Sequence, residues 1–455
     1  FTPEEAEAED FMTKLAAETE VQVAKIALNG NTGTVTKYPA ITDNAIADLH
    51  PSITVKNHVP YIAWNSNSAN DILKGTGTNP YGLCYYPEGK EYYTYLLAQT
   101  TGSSRSIPEI RRLLEKDYQK NFHALRDLIK NHPGLLKLSP EDVSLSLNMQ
   151  NSYSDHPEEP GDTDLPTKPA ATSDILCRLS EAILDDLQKQ MKPDFPKLTC
   201  IPEAKAGQEH DGESNSVSCQ IKKVSSSMEA YSSPAYYLTP PIDDLWRNTI
   251  YLNEPNITDD LTLYTTLAHE GYPGHLYQTV YSQSFLNQQN ASCIRSMLHY
   301  GGFVEGWAVY VENLSYGYAA QLTKNEEAAA YIESCRLNRN LHLCLYSYMD
   351  IAIHYDGATP EQIGRFLENL GLGQHTNVET IYEYLVEEPC NYLKYYLGYL
   401  EFLSLKQKAE ELWGTDYSDY RFHKFVLETG PSDFRSLGEL VTAHPYPGQN
   451  FGNQS

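Results

Sequence analysis

The chain has 455 residues, 41% of them hydrophobic, and a formal net charge of −26. That acidity argues against nucleic acid as a partner, because phosphate binding needs clustered Lys and Arg. With a mean hydropathy of −0.49 and no run of ~18 apolar residues, no segment reads as a transmembrane helix.

Phe1 to Glu5 has neither a basic n-region nor an apolar h-region, so no signal peptide is visible. The missing initiator Met points to processing or trimming from a longer chain. Glu4–Leu28 is charged and alanine-rich at helical spacing, and 29–79 is irregular. The reading is a partly helical N-terminal segment over 1–80, the remainder of a longer region, followed by one catalytic domain over 81–455. A helix is predicted near Glu91–Thr100. Ser106 then caps another, with Pro108 in the first turn, where a missing N–H costs nothing. His156–Thr172, rich in Pro, Asp and Thr, reads as an exposed loop, and Ile175–Met191 as an amphipathic helix. Leu198–Ile201, Val217–Val224, Ala235–Thr239 and Thr249–Leu252 are short, turn-bounded and strand-like. They predict a small sheet. Cys200 and Cys219 bracket a polar loop and would pair in an oxidising compartment. From Asp260 onward the pattern is almost wholly helical.

A helix is predicted to start at Thr258-Asp259-Asp260, with acidic residues at its positive end. Near its other end stands His269-Glu270-Gly271-Tyr272-Pro273-Gly274-His275. Two imidazoles flanking a carboxylate are the inventory of a catalytic zinc site. The ordinary motif places its histidines at i and i+4, on one helix face. Here they are at i and i+6, about 120° apart on a regular helix, so a straight helix cannot aim both rings at one ion. Pro273 breaks helices, and Gly271 and Gly274 permit unusual backbone angles. The helix is therefore expected to break over Gly271–Gly274, bringing His275 back to the metal side.

The third ligand is expected from Phe303-Val304-Glu305-Gly306-Trp307-Ala308-Val309-Tyr310. Phe303, Trp307, Tyr310 and Leu314 form an apolar stripe. Glu305 lies off it, beside Gly306 and Ala308, small residues that would let this helix approach the metal helix. Glu312, one heptad on, is either a carboxylate orienting a histidine or the ligand in place of Glu305. Two His and one Glu leave a fourth zinc position open for water, the mark of a catalytic site. Glu270 is then placed to act as general base.

These residues resemble the bacterial domain of unknown function 885 family, regarded as zincin-like, with an HExxPGH signature. The matching pieces are Gly82-Leu83-Cys84 with Pro87–Tyr93, Ala235-Tyr236-Tyr237 with Pro240-Pro241, Ile250–Asn253, His269–His275, Phe303–Tyr310, and Phe422-His423 through Gly430-Pro431. The resemblance implies a mainly α, gluzincin-type metallopeptidase fold with a small sheet before the metal helix. It matches Lys394-Tyr395-Tyr396-Leu397-Gly398 to an element that usually begins with a small residue, which makes Tyr395 a candidate oxyanion donor. Asp350–His354 matches another element, which makes His354 a cleft candidate; His423 is a weaker one. The strand over Thr249–Leu252 looks like the edge strand that holds an extended peptide in zincins. Relatives are often exported or lipid-anchored.

The expected function is therefore zinc-dependent hydrolysis of short or unstructured peptides. Zinc would be held by His269, His275 and Glu305, and Glu270, Tyr395 and His354 would be the catalytic candidates. Two alternatives use the same residues. One is a metal-dependent hydrolase of non-peptide amides or esters, and the other a cell-envelope protein that binds peptides without turnover.

Overall fold

A computed structural model of the chain describes residues 22–29, 32–40, 46–56, 59–68, 82–143, 145–147, 171–198, 217–241, 244–292, 294–323, 325–372 and 377–443. The chain divides into two units, Phe1–Pro87 and Glu88–Ser455. The first holds two antiparallel hairpins. Strand β1 (Gln22–Asn29) pairs with β2 (Thr32–Ala40), and β3 (Ile46–Lys56) with β4 (Val59–Ser68). The helix expected over Glu4–Leu28 is thus replaced by a strand from Gln22 onward; residues 4–21 lie outside the described residues. The sequence carries the reason. Ala24, Ile26 and Leu28 alternate at period two, and Asn29-Gly30 is a strong hairpin signal.

The second unit is mainly helical. It opens with α1 (Gly89–Thr101) and α2 (Ile107–Asn131), the latter started by a reciprocal cap between Ser106 and Glu109. Helix α3 (Ala171–Gln190) follows. The loop expected over His156–Thr172 gives way to α3 at its last two residues, and the rest of it, with residues 199–201 of the strand expected over Leu198–Ile201 and with Cys200, lies outside the described residues.

A three-stranded sheet comes next, with β5 (Ser218–Lys223), β6 (Ala235–Leu238) and β7 (Arg247–Leu252) in the order β5-β7-β6. Strand β5 runs parallel to β7, and β6 antiparallel to it. The strand expected at the edge, Thr249–Leu252, is therefore the central one. Chain order hides this, because β5 arrives on the far side of β7 by a long connection. The open edge beside the metal helix belongs to β6.

The remaining helices are α4 (Asp260–Glu270), α5 (His275–Gln288), α6 (Ile294–Met297), α7 (Gly301–Gln321), α8 (Glu326–Ile351), α9 (Pro360–Asn369), α10 (Val378–Glu387), α11 (Asn391–Trp413), α12 (Asp419–Thr429) and α13 (Phe434–Ala443). Asp259 caps α4, its Oδ1 accepting the Thr262 N–H at 2.8 Å. Helix α7 runs through the middle and packs on α4, α8 and α11. Phe303, Trp307, Val309 and Val311 are fully or almost fully buried along it. Its closest approach is to α11: a Cβ at Gly306 would meet the Gly398 backbone at 2.4 Å, and one at Gly398 the Gly302 carbonyl oxygen at 2.4 Å. The small residue beside Glu305 thus serves the α7–α11 crossing, not the approach to the metal helix expected from the sequence.

Candidate metal centre

Helix α4 ends at Glu270 and α5 starts at His275. Gly271-Tyr272-Pro273-Gly274 breaks the helical phase between them, which the i, i+6 spacing requires. A Cβ on Gly274 would lie 1.8 Å from the His269 carbonyl oxygen and 2.4 Å from that of Ala268. The loop therefore passes over the end of α4 at a distance only glycine allows. It is tied down from both sides. The Trp307 indole N–H donates to the Pro273 carbonyl at 2.9 Å, and the Tyr277 N–H to that of Gly271 at 3.2 Å.

The break brings both rings to one point. Nε2 of His269 stands 3.6 Å, and Nε2 of His275 3.3 Å, from Oε2 of Glu305. All three ligand atoms lie within 4.8 Å of one another. Nitrogen and oxygen ligands at ~2.0–2.1 Å from a tetrahedral ion stand ~3.3 Å apart, so these contacts have the spacing of a ligand set. Glu305 Oε2 is buried and makes no hydrogen bond among the described residues. A buried acceptor left bare costs about 1–3 kcal/mol, and a cation at the convergence point would remove that cost. The donor set therefore fits a divalent metal. Nδ1 of His275 is likewise buried without a partner among the described residues.

Glu312 takes the supporting role. Its Oε2 lies 3.0 Å from Nδ1 of His269, and its Oε1 accepts from Nε of Arg339 at 3.0 Å. A proton held on Nδ1 would leave the Nε2 lone pair facing Glu305 and His275, an arrangement in which Glu305 would serve as ligand and Glu312 as the orienting carboxylate. Burial opposes a charge on His269, but Glu305 and Glu312 outweigh it and raise its pKa to about 10. Burial also opposes the carboxylate charges. His269 and His275 nevertheless hold Glu305 far below the usual range, and Arg339 and His269 bring Glu312 down to about 2. An arriving metal would displace the proton on His269.

Glu270 closes α4 and faces β6, where its Oε2 accepts the Tyr237 backbone N–H at 2.8 Å. Tyr395 on α11 is also brought to the cluster, its ring stacked on that of His269 at 6.3 Å. Burial first, then the charges of Glu305 and Glu270, push its pKa well up. The hydroxyl stays a proton donor and makes no hydrogen bond among the described residues. Lys394, standing where the family usually has a small residue, lies over this ring at 5.6 Å and pairs with Glu388 at 3.2 Å.

His354 does not join this group. It is 1% exposed, bonded through Nε2 to the Leu385 carbonyl at 2.8 Å and stacked on Tyr93 at 5.6 Å. Burial lowers its pKa to about 4. His423 is similarly enclosed, between the Tyr310 hydroxyl at 2.9 Å and the Asp194 carbonyl at 2.6 Å. Both read as neutral core histidines. Arg339 and the Tyr237 N–H carried no sequence signal. One is a surface-like arginine on a remote helix, and the other a backbone group defined only by strand pairing.

A family model described as "Bacterial protein of unknown function (DUF885)" matches residues 4–441. No curated protein matches the chain. Among solved structures, the chain is similar to "the putative lipoprotein from Colwellia psychrerythraea", with 18% identity, a TM-score of 0.61, and coverage of 83% of this chain and 58% of that one. It is also similar to "a putative lipoprotein of unknown function from Shewanella oneidensis", with 18% identity, a TM-score of 0.50, and coverage of 82% and 62%. At these identities the likeness concerns the fold alone, and the chain spans about three fifths of each relative's length.

Proposed function

The chain belongs to the DUF885 family of bacterial proteins of unknown function, and from that premise we propose that it is a zinc-dependent peptidase of zincin-like, gluzincin type, acting on short or unstructured peptides. One observation carries the reading: two imidazole nitrogens and a buried carboxylate oxygen that makes no hydrogen bond among the described residues converge within 4.8 Å, with Glu270 next to His269 in the chain. His269, His275 and Glu305 would hold the ion. Zinc with three protein ligands and an open position supplies Lewis acidity to a carbonyl and to water.

The chain's own residues do the rest. Glu270 takes the proton of the attacking water and returns it to the departing amine. The Tyr237 N–H keeps that carboxylate aimed. Tyr395, held protonated, donates to the oxygen on which negative charge develops. Glu312, backed by Arg339, fixes the tautomer of His269. Strand β6 has an outer edge paired with no strand among the described residues, and it runs past Glu270. An extended peptide added there would gain backbone hydrogen bonds from edge groups other than the Tyr237 N–H, which Glu270 holds, without a demand on its side chains. The two similar lipoproteins support a place in the cell envelope.

The test is Glu270→Gln, assayed on a mixed peptide pool with zinc content measured alongside. The expected result is full zinc occupancy with hydrolysis reduced by on the order of 100-fold or more. Undiminished hydrolysis at undiminished zinc content removes Glu270 as the base.

A further inference from the structure

Hydrogen bonds show which way each residue of β6 turns its backbone. The Asn253 N–H donates to the Pro234 carbonyl at 2.9 Å, so residues 234, 236 and 238 face β7. Ala235 and Tyr237 face outward, as the 2.8 Å bond from the Tyr237 N–H to Glu270 confirms. The Ala235 carbonyl accepts the Ser233 hydroxyl at 2.7 Å. The Ala235 N–H and the Tyr237 carbonyl make no hydrogen bond among the described residues. The side chains alternate too. Ala235 is buried and the Tyr237 hydroxyl donates to the buried Asn248 at 2.7 Å, both on the covered face of the sheet. Tyr236 and Leu238 lie on the other face, 37% and 53% exposed. Tyr236 stacks on its cross-strand partner Tyr251 at 5.1 Å. On that same face β5 exposes Ser218, Gln220 and Lys222. The apolar surface is thus confined to the edge that Glu270 reaches.

We infer that Tyr236 and Leu238 select the substrate, so that the protein cleaves peptides with an aromatic or large aliphatic residue directly after the cleaved bond and another two residues before it. This rests on the peptidase reading above. An antiparallel peptide on β6 places one residue opposite Tyr237, and its N–H donates to the Tyr237 carbonyl. In a regular ladder that residue's own carbonyl would accept the Tyr237 N–H. Glu270 holds this N–H, so the carbonyl is left beside the proposed base and is the one attacked. Water adds to its carbon and the C–N bond breaks. The acyl product keeps the water oxygen, and the amine leaves with the proton relayed by Glu270. The residue after the cleaved bond then stands opposite Tyr236, and the residue before the attacked one stands opposite Leu238, because the two strands run in opposite directions. Directly opposed side chains have Cβ atoms ~4.5–5.5 Å apart, close enough for a large ring to pack on Tyr236. The residue opposite Ala235 accepts its N–H.

In the experiment, zinc-replete protein cleaves a degenerate peptide library and the cut sites are read by mass spectrometry. Aromatic and large aliphatic residues are expected to be enriched at the two positions named. Matched peptides with Phe or Ser directly after the bond should differ by about 3- to 10-fold in kcat/KM, the range for an aromatic pair. Tyr236→Ser should bring that ratio near one, whereas Leu238→Ser should weaken selection only at the other position. Thermal unfolding checks that both variants fold. A general loss of activity would slow both peptides equally, so the ratio isolates recognition. Cleavage without enrichment at either position, or ratios unchanged in the variants, overturns the inference and leaves the peptidase reading standing. If no peptide is cleaved, equilibrium binding of the Phe and Ser peptides decides. A preference for Phe that Tyr236→Ser removes keeps the apolar subsite and removes the peptidase reading, and no preference removes both.

Discussion

The division of labour between Glu305 and Glu312 gives the most discriminating prediction. Replacing Glu312 by Gln keeps shape and size but leaves one acceptor where two donors converge. Arg339 Nε and His269 Nδ1 each stand 3.0 Å from a separate oxygen of this side chain. If the amide oxygen turns to Arg339, its NH2 faces Nδ1. The imidazole then moves its proton to Nε2, and Nε2 no longer binds a metal. The expected cost is that of losing an orienting partner, about 10- to 100-fold in zinc affinity, or roughly 1.4–2.7 kcal/mol. Glu305→Gln removes a ligand outright and should cost distinctly more. Zinc affinities are measured by competition with a chromogenic chelator at neutral pH, with far-UV circular dichroism as the check on folding. A folded Glu312→Gln protein that binds zinc within threefold of wild type refutes the tautomer argument. A larger loss at Glu312 than at Glu305 reverses the assignment of ligand and support.

Two further predictions concern the scaffold. Gly274→Ala places a Cβ 1.8 Å from the His269 carbonyl oxygen, so the loop must move; thermal unfolding should show a loss of at least ~2 kcal/mol together with lost zinc. Gly317→Ala, in the interior of α7 with nothing within 4 Å of the new Cβ, should instead gain about 0.5–1 kcal/mol, and equal effects at the two glycines contradict the account of the break. The second prediction is pH dependence. Burial holds His354 and His423 at pKa values near 4, below the unfolded value of ~6.5, so the unfolded chain takes up protons first as pH falls. Each ring then costs on the order of 2 kcal/mol by pH ~5. Asp350, raised to about 7 by burial, works in the opposite sense and offsets roughly one ring. Denaturant midpoints should therefore fall modestly between pH ~6.5 and ~5, and more steeply in Asp350→Asn; a midpoint that rises over this window sinks the assignment of neutral core histidines.

The legible features were those whose constraint is local. The conflict between the i, i+6 histidines and a straight helix, with Gly271, Pro273 and Gly274 in between, dictated a break at the place where α4 ends and α5 begins. Ser106 and Asp259 announced helix starts by chemistry that acts over three residues. What depended on tertiary neighbours stayed hidden. The centrality of β7 is decided by β5, which arrives by a long connection. The use of Gly306 is decided by Gly398, on a helix far along the chain. His354 sits in a helical pattern that serves a core position as well as a cleft, and only its bond to the Leu385 carbonyl separates the two. The alanines and charges around β1 suit a helix in isolation, whereas pairing with β2 decides the outcome.

The way the break is secured bears on the kind of metal site proposed for the cluster. In a structural site the ion supplies the folding energy, and its ligands scatter without it. Here the ligand geometry is held by contacts that do not involve an ion. The Trp307 indole, on a fully buried ring, fastens the Pro273 carbonyl. Gly274 seats the loop on α4, and Arg339 and Glu312 orient His269. The preformed cluster leaves an acidic oxygen without a hydrogen bond among the described residues and crowds an imidazole between two carboxylates. Those costs fit the proposed site, whose metal would stay open on one side. The same construction explains the stretched spacing. By ending α4 at Glu270, the break puts that carboxylate beside the outer edge of β6, where its partner is the Tyr237 N–H, and so brings the proposed base, the candidate metal ligands and a strand edge together.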